Sequence, residues 1–257
     1  MNDSLATTAE GRSVLRMRRR LDHPPEKVWR AVTEAEQLGA WFPTSMSAEL
    51  RVGGRVRFGF GGDGTVTDLD PPRVFAYTWE DDHLRWEFVP DGAGTVLELV
   101  HTFDDRAGAA SFGSGWHVCL LALAGLPAGH PGEPDVDHRA LHERYVEQFG
   151  LDTGTVEDTP DGWRVRVERQ LVQPAEAAWP LLVDGVPSAA TVVTALEPEL
   201  LEYVLGRGRV RIALGEGTGH GARLVLTESG AADAADARDA AAAEWPRRVA
   251  ALAARLA

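Results

Sequence analysis

Short runs in which apolar and polar residues alternate predict a set of β-strands in the first half of the chain. Residues 14–22 place Arg16, Arg18 and Arg20 on one side of a strand, with Met17 and Leu21 among the residues on the other. Further runs, separated by Gly, Asp or Pro turns, span 56–60, 66–69, 74–79, 84–88 and 96–103. No helical segment separates these runs, so we predict an antiparallel sheet.

The sequence also predicts helices after the first strand and after the last of these strands. Pro24-Pro25 ends the first strand, and a short helix opens at Glu26, with a second helical turn at 34–41. Apolar spacing predicts a longer helix over 108–126 and another over 140–149. Residues 1–12 are small and polar, which predicts a loose N-terminal tail.

Part of the sequence recurs. Leu, Pro, Glu and Trp of segment 19–29 return in segment 169–179 at a common offset of 150 positions. Two shorter matches follow in the same order at an offset of 127, namely 69–71 with 196–198 and 97–99 with 224–226. We interpret the change of offset as a loss of 23 residues from a second copy. The alternative is convergent strand-helix patterning.

The repeat predicts two domains. The first is complete and spans 13–150, residues 151–162 are a linker, and a shortened second copy spans 163–257. This copy is predicted to contain a strand at 163–172, a helix at 174–183, four strands within 190–228 and a helix at 232–256. Because the deletion removes part of one cavity wall, we expect the second copy to be structural, a lid or a dimerisation partner rather than a second pocket.

Several motifs in this order of elements resemble one superfamily. They are Pro24-x-x-x-Val28-Trp29, Leu38-x-x-Trp41-Phe42, Gly53-Gly54-x-Val56-x-Phe58, Thr95-x-Leu97-x-Leu99-x-His101 and Gly115-Trp116. The chain resembles the helix-grip (SRPBCC, START-like) superfamily of lipid-transfer START domains and the birch-pollen allergen. It looks most like the branch related to activators of the heat-shock chaperone ATPase. The resemblance covers about 14–150 and survives only as a trace in the second copy.

The resemblance implies an α+β fold in which a curved antiparallel sheet wraps around a long C-terminal helix, present twice in tandem. A cavity between sheet and helix would accept a hydrophobic guest. We expect the first copy to bind a small hydrophobic, aromatic or lipid-like ligand without catalysis. The predicted lining residues are Trp41, Phe42, Phe58, Phe60, Trp79, Trp86, Phe88, Leu97, Leu99, His101, Trp116 and Leu120.

Two other functions remain open. One is a co-chaperone-like stress protein that binds a chaperone or another protein. The other is a cyclase- or hydrolase-like enzyme with a pocket acid or base, for which His101 is the weak candidate because alternation places it beside Leu97, Leu99 and Phe103. The competing interpretation of His101 is a histidine satisfied by hydrogen bonds at the end of the sheet.

The sequence predicts no metal site and no cofactor. His83, His101 and His117 have no ligand spacing typical of metal sites, and no cysteine pair accompanies them. The glycines at 59–64 lack the lysine and helix of a phosphate-binding loop. Cys119, the single cysteine, is expected to be a buried thiol that packs as a small hydrophobe.

Charge and composition argue against some classes of binding partner. A net charge of −13 opposes binding to nucleic acid or to an anionic membrane surface, and the arginines at 16–20 are read as a solvated strand face. The longest apolar run, 118–126, is too short to span a bilayer, and no secretory signal is visible. We therefore expect a cytoplasmic protein without a membrane span.

Overall fold

Two antiparallel sheets organise the chain. The computed structural model describes residues 3–125, 135–219 and 221–256. It divides into two units, Met1–Asp137 and His138–Ala257. The α+β fold class and the antiparallel pairing predicted above are confirmed.

Within residues 3–125 and 135–137, the first unit contains an eight-stranded sheet and three α-helices. The strands run in the spatial order β1-β2-β8-β7-β6-β5-β4-β3. Their bounds are Ser4–Thr7 (β1), Ser13–Leu21 (β2), Met46–Ala48 (β3), Arg55–Phe58 (β4), Asp63–Asp70 (β5), Val74–Trp79 (β6), Asp82–Asp91 (β7) and Gly94–Phe103 (β8). The helices are Pro25–Thr33 (α1), Ala35–Leu38 (α2) and Ala109–Gly125 (α3).

Local sequence explains these helices. Pro25 occupies the first turn of α1, where the missing N–H costs no hydrogen bond, and Val28 and Val32 are buried on one face. α3 follows a 3-10 turn at Arg106–Gly108 and packs against β2. The predicted end of this helix, residue 126, lies outside the described residues.

The N-terminal segment corrects the prediction of a loose tail. Residues Ser4–Thr7 form β1, which pairs antiparallel with β2 in the register Ser4 to Arg16. Asp3 anchors this edge, because its carboxylate accepts two hydrogen bonds from the Arg19 guanidinium at 2.6 and 2.9 Å. β1 was missed because its residues are mostly exposed, so that no alternation marks it.

The second unit contains a six-stranded sheet in the order β11-β12-β13-β14-β10-β9. The strands are Gly154–Thr159 (β9), Gly162–Gln170 (β10), Thr191–Leu196 (β11), Leu200–Leu205 (β12), Gly208–Glu216 (β13) and Ala222–Ala231 (β14). The helices are His138–Phe149 (α4), Ala175–Asp184 (α5) and Ala235–Arg255 (α6). Residues from the sheet, α5 and α6 form a core of their own.

Two predicted boundaries differ from the structure. The expected linker contains β9, which pairs with β10 in the register Val156 to Val165. α4, which we had assigned to the first domain, belongs to the second unit, where Glu143 pairs with the buried Arg169. β9 was missed because it is largely exposed, whereas α4 was predicted as a helix but assigned to the other unit.

The strand orders of the two units correspond. In each, an N-terminal pair of strands leads through a helix to further strands, six in the first unit and four in the second, and then to a long helix. The last of these strands pairs with the second strand of the pair. Within residues 138–219 and 221–256, the second unit has no counterparts of α2, β3 and β4. This is the region where the predicted deletion falls, although a common origin of the two units remains a prediction.

As a result, β11 is an edge of the second sheet. It pairs only with β12 in this sheet and carries three half-exposed apolar side chains, Val192, Val193 and Leu196. Its burial pattern shows no inward face.

Candidate functional site

A cluster of aromatic rings covers the inner face of the first sheet. Trp86 of β7 is fully buried and makes edge-to-face contacts with Trp41 and Trp116, at 5.8 and 5.5 Å between ring centroids. Phe58 and Trp79 stack in parallel at 4.1 Å. Edge-to-face and stacked pairs are favourable ring geometries, so this cluster is a packed core.

Most residues predicted to line a cavity are part of this packed interior. Ten of the twelve are buried, namely Trp41, Phe42, Phe58, Trp86, Phe88, Leu97, Leu99, His101, Trp116 and Leu120. Trp79 is half-buried. Phe60 does not join them and is 69% exposed, because β4 ends at Phe58 and the alternation stops there.

His101 is held by two hydrogen bonds. The Trp116 indole donates to its Nδ1 at 3.2 Å, and its Nε2 lies 2.8 Å from a carboxylate oxygen of Asp82. An indole N–H can only donate, so Nδ1 accepts and the proton on Nε2 points to Asp82. Both ring nitrogens are therefore engaged, and the geometry favours the satisfied histidine over a free general base.

A cavity of the first unit lies elsewhere. It has a volume of about 330 Å³ and opens between the end of β2, helices α1 and α2, and the end of α3. None of the twelve predicted residues lines it. The lining residues are Leu21, His23, Lys27, Val28, Ala31, Glu36, Gln37, Ala40 and Leu123.

This cavity has an apolar floor and a polar mouth. Leu21, Val28, Ala31 and Leu123 are buried, whereas Lys27 at the mouth is exposed. Lys27 is the only lysine of the chain, and within 3–125, 135–219 and 221–256 it has no hydrogen-bond or ion-pair partner. Sequence reasoning missed these residues because it sought aromatic walls, although the lone lysine beside a helix start was a usable signal.

The second unit has a cavity as well, which corrects the expectation that it lacks a pocket. This cavity measures about 230 Å³ and lies between strands β12 to β14 and helices α5 and α6. Its lining residues are Leu181, Leu182, Gly185, Tyr203, Ile212, Leu224, Leu226, Trp245, Arg248, Val249, Ala251, Leu252 and Arg255.

Other candidate chemistry has a structural role. Cys119 is buried in α3, and burial raises the pKa of its thiol to about 11, so it is not poised as a nucleophile. Within the described ranges, no three His, Cys, Asp or Glu side chains gather as a metal site. The segment Arg106–Gly125 is long and apolar enough to cross a membrane, but half of it is buried against the protein, as in a core helix.

Carboxylates flank the exposed arginines of β2. Arg16 and Arg18 both contact Glu98, and Arg20 pairs with Asp22 and Asp91. This mixed-charge surface is what a solvated strand face requires, and it offers no continuous basic stripe to a phosphate backbone.

Comparison with known proteins finds a family match within the first unit. Residues 22–127 match the model of the family described as activator of Hsp90 ATPase homolog 1-like protein. The match covers 106 of the 257 residues, and we call residues 22–127 the Hsp90-activator-like domain. The Hsp90-activator-like domain includes every residue lining the first cavity except Leu21. No curated protein matches the chain.

Three solved structures are similar to the chain, and one of them supports the fold. A conserved protein of unknown function from Enterococcus faecalis is 20% identical and superposes with a TM-score of 0.52 over 57% of this chain and 90% of that one. CalU16 from Micromonospora echinospora is 23% identical over 58% of this chain and 93% of its own, with a TM-score of 0.48. DynU16, from the dynemicin biosynthetic locus, is 18% identical over 84% and 86%, with a TM-score of 0.42. The first likeness shows a shared fold, and the helix-grip class is consistent with it.

Proposed function

We propose that the Hsp90-activator-like domain binds a small, largely apolar ligand in the cavity between β2, α1, α2 and α3. The observation that carries this proposal is the cavity itself, whose 330 Å³ falls within the usual range of ligand pockets, about 300–1,000 Å³. The ligand class is the one expected from the sequence, but the lining residues are different.

The floor of the cavity supports an apolar guest. Leu21, Val28, Ala31 and Leu123 present only carbon atoms from their side chains, so a polar guest would lose its hydrogen bonds with water without replacement. Burying an apolar guest contributes roughly 25 cal/mol for each Å² of apolar surface removed from water.

The mouth supports a polar end on the same ligand. Lys27 brings an ammonium that no carboxylate in the described ranges engages, and His23 and Gln37 add further polar groups. Glu36 also lines the mouth and gives it mixed charge. A lipid-like molecule with a carboxylate end fits this arrangement, because its chain faces the floor while its head remains near Lys27 and water.

Lys27 also provides the test. In the full chain labelled with ¹³C-lysine, Lys27 is the one lysine signal, so its side-chain carbons report on this cavity alone. We expect octanoate to shift these signals in a saturable manner. Ala31→Leu adds volume on the cavity floor and is expected to weaken binding at least about tenfold, because the guest and the new side chain compete for the same space.

Ala35→Leu is the matched control, since Ala35 is exposed on α2 and does not line the cavity. Native-like spectra of both variants establish that they fold. Octanoate that leaves the Lys27 signals unchanged, or that binds Ala31→Leu as well as the parent chain, contradicts the proposal.

A chaperone partnership and a stress role have weaker support. The family description names an activator of the Hsp90 ATPase, and that activity belongs to the proteins for which the family is named. No feature of the described residues favours such an interface in this chain. The catalytic alternative loses its candidate base, because both nitrogens of His101 are engaged within the packed core.

For localisation, the soluble-type α+β fold and the buried lone thiol suit the cytoplasm, which we retain as a proposal.

A further inference from the structure

A buried tyrosine faces the cavity of the second unit. Tyr203 of β12 is 2% exposed and lines this cavity. Its hydroxyl makes no hydrogen bond to any residue within the described ranges. The open cavity leaves this hydroxyl accessible, so it can donate a hydrogen bond to a group that enters the cavity and accepts one there.

The charged groups near Tyr203 are already engaged. Arg248 forms an ion pair with Glu244 at 2.6 Å and lies over the Trp245 ring at 5.1 Å. Glu228 accepts a hydrogen bond from the Trp245 indole. Burial raises the pKa of Tyr203 to about 12, with smaller effects from Arg248, Glu228 and Glu244, so the hydroxyl keeps its proton as a donor. One arginine and two glutamates therefore leave no surplus positive charge for an anion.

The other arginine that lines the cavity, Arg255, lies far from Tyr203 and Arg248. Arg255 is exposed at the rim in the last turn of α6, where the helix dipole favours a positive charge. It lies seven residues from Arg248, about 10 Å along the helix axis.

We propose that the second unit holds its own binding site for a neutral, apolar molecule with one hydrogen-bond acceptor, such as a ketone, which receives its hydrogen bond from the Tyr203 hydroxyl. Leu224, Leu226 and Leu252 supply the apolar wall, and Trp245 supplies an aromatic one. This site is independent of the cavity in the first unit, and neither proposal depends on the other.

A single reporter is available for the test. Ile212 lines this cavity and is the only isoleucine in the chain, so ¹³C-methyl labelling of isoleucine gives one signal located at the site. The probes are 1-tetralone, the hydrocarbon tetralin with the same ring system, and 1-naphthoate as an anion. We expect 1-tetralone to shift the Ile212 methyl signal and to bind about fivefold more tightly than tetralin, the factor that one ordinary hydrogen bond provides.

Tyr203→Phe removes the hydroxyl and keeps the ring. In this variant we expect the preference for 1-tetralone to disappear while the affinity for tetralin is unchanged, a result that a purely structural role of Tyr203 would not produce. Ala251→Leu is expected to obstruct the site, whereas Ala250→Leu, exposed and outside the lining, is its matched control.

Three results would overturn the proposal. They are an unchanged Ile212 signal with both 1-tetralone and tetralin, a preference for the ketone that persists in Tyr203→Phe, and tighter binding of 1-naphthoate than of 1-tetralone. Because Lys27 reports on the first cavity and Ile212 on the second, failure at one site is distinguishable from failure at the other.

Discussion

Trp86 shows how single side chains hold the first unit together. It is fully buried, touches Trp41 and Trp116 edge to face, and directs its indole N–H towards the Tyr77 hydroxyl at 3.4 Å. A residue with such contacts cannot be truncated without leaving a void, since neighbouring rings fixed on other elements cannot collapse into it.

We therefore expect Trp86→Ala to lower the free energy of unfolding of the first unit by about 3–5 kcal/mol. Phe60→Ala serves as the control, because Phe60 is mostly exposed and its removal should change stability by no more than about 0.5 kcal/mol. Urea denaturation followed by tryptophan fluorescence measures both. Equal losses in the two variants would show that the aromatic cluster is not a packed core.

At the residue scale, the sequence predicted burial better than it predicted the site. Alternation correctly placed Leu97, Leu99 and His101 on the inner face of β8. It could not distinguish a ring that lines a cavity from one that fills it, because both are apolar and inward. That distinction depends on contacts between elements distant in sequence, such as Trp41 with Trp86.

Among the elements, β1 pairs with β2 and is preceded by a buried ion pair between Asp3 and Arg19. Asp3 and Arg19 have side chains that are only 2% and 11% exposed, so their charges interact with little screening by water. Arg19 is the inward-leaning member of the arginine run, and the carboxylate of Asp3 balances its charge beneath the edge of the sheet.

Asp3→Ala is expected to destabilise the first unit by about 3–5 kcal/mol, the usual cost of removing one partner of a buried pair. It should also speed amide hydrogen exchange in β1. Asp22→Ala removes an equal charge from an exposed pair with Arg20 and should leave both measurements unchanged. Protection of β1 that is the same in both variants would mean that Asp3 does not anchor the strand.

The elements that the sequence missed share a property. β1 and β9 are edge strands whose residues are mostly exposed, so neither period-two alternation nor hydrophobicity marks them. β10, which has one buried face, was predicted within a few residues of its observed bounds. Amphipathic patterning reports burial, and it is silent about strands held mainly by backbone hydrogen bonds.

For the molecule as a whole, the position of the domain boundary is testable. The structure assigns α4 to the second unit, and the Glu143 carboxylate pairs with Arg169, whose side chain is buried. Burial opposes ionisation of Glu143, but hydrogen bonding with His142 and the charge of Arg169 outweigh it, and the pKa of Glu143 is lowered.

A fragment of residues 138–257 is therefore expected to unfold cooperatively on heating. A fragment of residues 151–257, cut at the boundary suggested by the sequence, lacks α4 and should melt at least about 5 °C lower, because Arg169 loses its carboxylate partner. Circular dichroism against temperature measures both fragments. Equal melting temperatures of the two fragments would indicate that α4 belongs to the first domain.

Because β11 has an open edge, the net charge of the protein affects whether two copies associate through this strand. An edge strand with one open side and with Val192, Val193 and Leu196 on its surface is a template on which a second chain can extend the sheet. With a charge of −13 on each copy, two such edges repel one another before their backbones meet. The negative net charge therefore opposes self-association of the protein, and dissolved salt reduces this effect because it screens the electrostatic repulsion between copies.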